Sequence, residues 1–286
     1  MNAENPSSKP GMEALWTLLM AFAMGSAVAA LAFEPLTNLF GDSARRDWLL
    51  QLFAAVGFFV LPAAWMRTRR QVQHLPSFAP EPLPVAPLLL VGYVLLPALA
   101  AFSLEQLSWG WHQALAQIPA LESWWNQEND QADKIQALLN TPHWIDRLGV
   151  AFVLVPLAAL GEEFFFRGTL LPLWKDAHGT IWALLLSTAV FAVAHFNLSQ
   201  LPFLLGAGLL LGWSYLATQR LWVPMAAHFL HNGITLIAAW QTPDAAYGLS
   251  DAPPHSWALV AFSFLASAGL LAWLHRARRS AKNGEA

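Results

Sequence analysis

An all-α, polytopic integral membrane bundle of about eight transmembrane helices is the fold this sequence predicts. Three observations carry that expectation. Hydrophobic residues make up 56% of the 286 and charged residues only 12%, with a mean hydropathy of +0.43. A soluble domain carries about 25% charged residues, and so apolar a chain would expose greasy surface without lipid as its solvent. Second, eight apolar stretches approach the roughly 20 residues needed to cross hydrocarbon. Third, the chain holds 15 tryptophans. Many of them (Trp48, Trp109, Trp111, Trp222, Trp240, Trp257) end apolar runs, where an interfacial aromatic belt would sit. The net charge of -3 gives no reason to expect nucleic-acid binding. The lack of cysteine excludes disulfides, thiolate metal sites and a cysteine nucleophile.

The stretches run over residues 12–33, 48–66, 85–107, 148–166, 180–196, 201–216, 222–240 and 257–274. The first follows Lys9 alone and exceeds the roughly 7–15 apolar residues of a signal peptide, so an uncleaved anchor is expected, although Ala30-Leu31-Ala32 resembles a cleavage site. The fifth and sixth are short and joined only by 197–200, which predicts adjacent antiparallel helices. Between the third and fourth lies the longest polar stretch, 108–146, with Glu122, Glu128, Asp130 and Asp133 among tryptophans. It is expected to form an extracytoplasmic helical cap. The proline-rich stretch 76–87 reads as a stiff linker.

Placing the N-terminus in the cytosol leaves only Arg45, Arg46, Lys134 and Arg147 of the basic residues on the far side. The positive-inside rule then predicts both termini cytosolic, with the Arg45/Arg46 pair the one dissent. Four regions follow: an N-terminal transmembrane hairpin and linker over 1–84, a third span with the cap over 85–147, a core over 148–240, and a last span with a basic cytosolic tail over 241–286.

Ionisable groups inside apolar spans are costly and mark functional candidates. They cluster in three groups. Glu162, Glu163 and Arg167 stand at the predicted cytosolic end of the fourth stretch, Phe191 and His195 in the fifth, and His228, His231 and Asn232 in the seventh. Glu163 and Arg167 share a helix face and can pair, whereas Glu162 points about 100° away. A carboxylate in an apolar setting beside a like charge is poised to take a proton from water. His228 and Asn232, also one turn apart, suit an oxyanion hole, and Pro224 is expected to kink that helix and open room. Taken singly, each group has a plainer role. The acidic pair and Arg167 could lock a helix end, His195 could bond a backbone carbonyl in the core, and His228 with Asn232 could join two helices. His231 could stand in for His228.

The order Glu-Glu-x-x-x-Arg, Phe-x-x-x-His, His-x-x-x-Asn resembles the CPBP family, the CAAX prenyl protease 2-like and bacteriocin-processing intramembrane proteases. The resemblance covers roughly 148–240. It implies an intramembrane endopeptidase in which Glu162, assisted by His195, activates water, while His228 and Asn232 stabilise the oxyanion. Glu163 and Arg167 would hold the helix end, with Phe191 as a supporting match. A glutamic-type mechanism without a cofactor is favoured; zinc held by Glu162, His195 and His228, with an open water position, is the alternative. The implied partners are the lipid bilayer and a membrane-associated protein or peptide substrate, in a bacterial inner membrane. Two alternatives stand beside it: a non-catalytic immunity or scaffold protein with the same core, and a proton-coupled transporter. The acidic motif has no counterpart in the first half of the chain, which argues against the transporter.

Overall fold

The computed structural model describes residues 10–72, 81–241 and 253–283, which form nine helices and, among the described residues, no strand. They are α1 (Pro10–Phe40), α2 (Ala44–Val72), α3 (Pro87–Leu115), α4 (Glu122–Leu139), α5 (Trp144–His178), α6 (Thr180–Ala194), α7 (Leu201–Thr218), α8 (Trp222–Gln241) and α9 (Trp257–Asn283). Six of these, α1, α2, α3, α5, α7 and α9, are long and apolar enough to cross a membrane. The shorter α6 is apolar as well. Every predicted stretch is helical over most of its length, although the fifth ends at Ala194 and leaves His195 beyond the helix, and the polar connection contributes α4. Residues 73–80 of the expected proline-rich linker lie outside the described residues.

The fourth stretch departs most from expectation. The sequence suggested an end near residue 166, yet α5 continues to His178, so Glu162 and Glu163 sit near its middle. Arg167, whose charge suggested a water-facing end, is fully buried against Glu163 and gives the helix no cause to stop. Pro224 does not act as a kink either. It occupies the first turn of α8, where a missing N–H leaves no hydrogen bond unmade.

The chain packs as two units, one formed by residues up to 81 with 137–187, the other by 82–136 with 188 onward. In the first, α1 lies against α2 and the last turns of α5. The α1–α2 crossing is close because Gly25 has no side chain. A Cβ there would fall 2.3 Å from the Phe58 ring, and one on Gly57 would come within 3.0 Å of the Gly25 Cα. At the other contact, the Trp48 indole lies over Gly149 of α5 and donates to Asp146, which also accepts from Arg45 at 2.9 Å. Arg46 pairs with Asp42 and Asp47. Both dissenting arginines are thus ion-paired. Gly149→Ala would set a methyl 2.4 Å from the Trp48 ring. We expect it to lower stability by about 1–3 kcal/mol, read as an earlier thermal unfolding transition with altered Trp48 fluorescence.

In the second unit, α7, α8 and α9 all pack on α3. Leu89, Tyr93 and Leu96 of α3 meet Ala217, Val223 and Leu274. The Tyr93 and Trp213 rings pack at a tilt with centres 5.0 Å apart. Gly208 of α7 faces Thr188 and Phe191 of α6, so these two helices are neighbours, as the short connection predicted. Large apolar side chains such as Phe22 and Leu31 on α1 or Phe262 and Leu265 on α9 face outward. In water they would form a sticky patch, but a lipid-facing surface wants them.

Candidate active site

The acidic half is built into α5. Two widened π turns, Val153–Leu157 and Phe166–Leu170, bracket the regular segment Ala158–Phe165 that carries Glu162 and Glu163. Such turns are single-turn interruptions that recur at functional sites. Pro156 lies in the first, where its lack of an N–H and its ring disfavour a regular ladder. In the second, side chains satisfy the backbone. The Thr169 hydroxyl donates to the Phe164 carbonyl at 3.1 Å, Arg67 of α2 donates to the Gly168 carbonyl at 2.8 Å, and Ser187 of α6 donates to the Phe166 carbonyl at 3.3 Å. The Arg67 guanidinium also covers the Phe164 ring at 4.6 Å.

Glu163 and Arg167 form an ion pair of 2.8 Å with both side chains fully buried, on one helix face as their spacing predicted. Glu162 is half-buried, which makes it the more accessible carboxylate. Phe59, in a further π turn of α2 (Val56–Val60), packs on Phe165 and Phe166, fixing the rotation of this part of α5.

The histidine half lies in the second unit. His195 falls just beyond the last residue of α6, in a turn, and is exposed. It is not a core histidine, but it does bond a backbone carbonyl: its Nδ1–H donates to the Phe191 oxygen at 2.8 Å. A carbonyl only accepts, so Nδ1 must carry the proton, and in the neutral ring Nε2 becomes the basic nitrogen. The Phe191 ring centre lies 4.7 Å from that of His195 and 6.3 Å from that of His228. One aromatic side chain therefore packs on both imidazoles. His228 is buried, and Asn232 follows one turn later, half-buried. His231 turns instead to the Phe203 ring, 5.1 Å away.

Within their units, then, Glu163 meets Arg167, and Phe191 meets both His195 and His228. Several supporting residues escaped the sequence. Arg67, just past the second apolar stretch, is one of them. Its bond to Gly168 joins residues far apart in the chain, which no local pattern signals.

Residues 144–234 match the family model described as Type II CAAX prenyl endopeptidase Rce1-like. That stretch runs from the start of α5 into α8 and includes Glu162, Glu163, Arg167, Phe191, His195, His228 and Asn232. The chain is 32% identical over 95 residues to the membrane-embedded CAAX protease MroQ of Staphylococcus aureus (strain USA300), covering 31% of this chain and 38% of that protein. The similarity thus spans well under half the length of this relative. No solved structure matches the chain.

Proposed function

We propose, from a core that belongs to the CPBP family of CAAX-type membrane proteases, that the protein is an intramembrane endopeptidase cleaving a membrane-associated protein or peptide. Glu162 acts as general base. It takes a proton from water as the oxygen attacks the scissile carbonyl, and the Nε2 of His195 assists. The C–O bond forms while the carbonyl electron pair moves to oxygen. His228 and the Asn232 amide donate to that oxyanion, where preorganised donors contribute most. Collapse breaks the C–N bond, and the proton held by Glu162 passes to the leaving amine.

The observation that carries this assignment is the Phe191 arrangement: one residue fixes the His195 tautomer through its carbonyl and packs on both His195 and His228 through its ring. It supports His228, rather than His231, as the oxyanion donor.

The orientation proposed is both termini on the cytosolic side. The test is cleavage of an internally quenched peptide, farnesylated and unmodified, by the full chain in nanodiscs. Cleavage that persists after dialysis against a chelator, with no stoichiometric metal, is expected for a carboxylate mechanism. Loss on chelation, restored by zinc, would favour a zinc-bound water held by Glu162, His195 and His228. Cleavage of neither peptide, nor of a membrane-anchored peptide library, would overturn the assignment.

A further inference from the structure

His195 sits outside any regular helix, so the ladder of α6 does not hold it. The turn is tight: His195 N–H donates to the Ala192 carbonyl at 3.3 Å, Phe196 N–H to the Val193 carbonyl at 3.0 Å, and Phe196 has a left-handed φ of 48°. What fixes the following residues comes from far upstream. Glu128, on α4, is 6% exposed. Its Oε1 accepts from the Leu198 N–H at 2.5 Å and from the Trp124 indole, and its Oε2 accepts from the Ser199 N–H at 3.2 Å. From α3, the Trp111 indole donates to the Leu198 carbonyl at 3.0 Å, and the Ser108 hydroxyl accepts from Phe203 N–H at 2.9 Å. The Asn197 side chain closes the turn locally by accepting from Ser199 Oγ and Gln200 N–H.

Both backbone groups of Leu198 are thus gripped, its N–H by Glu128 and its carbonyl by Trp111. Charge-assisted bonds from backbone N–H groups to a buried carboxylate are the strong kind. A simple cap for α7 would explain the carboxylate, but not the second grip on the same residue. Only Phe196 and Asn197 separate His195 from Leu198, so a shift of the clamped peptide displaces the imidazole.

We propose that Glu128, with Trp111, is a positioning pair for His195, making α4 part of the catalytic machinery rather than a passive cap. This rests on the endopeptidase assignment above. Catalysis is sensitive to displacement, and about 1 Å of misplacement can cost roughly a hundredfold in rate.

The test compares Glu128→Ala, Glu128→Gln and Trp111→Phe with the parent, using the quenched peptide that the parent cleaves and counting only folded protein. We expect kcat per folded molecule to fall about tenfold or more in Glu128→Ala, with KM within about twofold. Glu128→Gln keeps one acceptor oxygen and should recover part of that loss. Faster amide hydrogen exchange at Leu198 and Ser199 should accompany the fall. If Glu128→Ala does not fold, the other two variants carry the comparison. A kcat per folded molecule within twofold of the parent in every variant that folds would overturn the positioning role while leaving the protease assignment intact. Cleavage that survives Glu162→Gln would overturn both.

Discussion

Glu162→Gln is expected to lower kcat/KM by about a thousandfold or more, within the range that general acid–base groups contribute, without moving the thermal unfolding transition. The substitution is isosteric and sits on a half-buried side chain. The amide cannot take a proton from water, so the attack step loses its base. Folding should hold because the amide keeps the shape of the carboxyl group and the buried Glu163–Arg167 ion pair is left intact. Purified variant and parent, compared in nanodiscs by peptide cleavage and by circular dichroism on heating, decide the matter. Retained cleavage in a folded variant would remove Glu162 from the mechanism. Lost cleavage with lost folding would reassign it to structure.

The second large effect concerns stability. Arg167→Leu leaves the Glu163 carboxylate without its cation at a position with no solvent exposure. Breaking a buried pair from one side costs about 3–5 kcal/mol, because an uncompensated charge remains. Glu163→Leu should be comparably harmful from the other side. Replacing both with leucine should recover much of the loss, since an apolar pair needs no solvation. Unfolding of the three variants, measured in one detergent, gives the coupling energy. If the single variants unfold at the parent temperature, the pair does not hold α5 together.

Helix existence was legible because lipid imposes length and composition on every span, and each of the eight apolar stretches is a helix. Helix ends were less so. Arg167 read as a sign of water, but its charge is spent inside the protein on Glu163. The candidate site divides the same way. The pairing of Glu163 with Arg167 follows from helix periodicity and is visible in the residue spacing. The tautomer of His195 depends on a carbonyl at a helix end, and the different surroundings of His228 and His231 depend on which neighbour, Phe191 or Phe203, lies across from each. The His195 bond to the Phe191 carbonyl spans only one turn, but the packing of His228 and His231 is a tertiary fact. So is the Glu128 clamp. Its acid looked like one of several in a polar stretch, and its partners are backbone N–H groups that carry no sequence signature.

An ion pair inside the first unit bears on how the protein is made. Glu13, near the start of α1, holds Arg70, near the end of α2, at 2.6 Å, and both are almost wholly buried. A lone charge costs about 2.5–3.5 kcal/mol at the centre of a span by insertion scales and less towards its ends. Each of these two helices therefore enters lipid more readily once its charge is paired with the other's. The first two segments should leave the translocon together as a preformed hairpin. Crosslinking of stalled nascent chains should find α1 held beside the channel until α2 has emerged, and Glu13→Ala should delay the release of α2 while Glu13→Ala with Arg70→Ala should restore it.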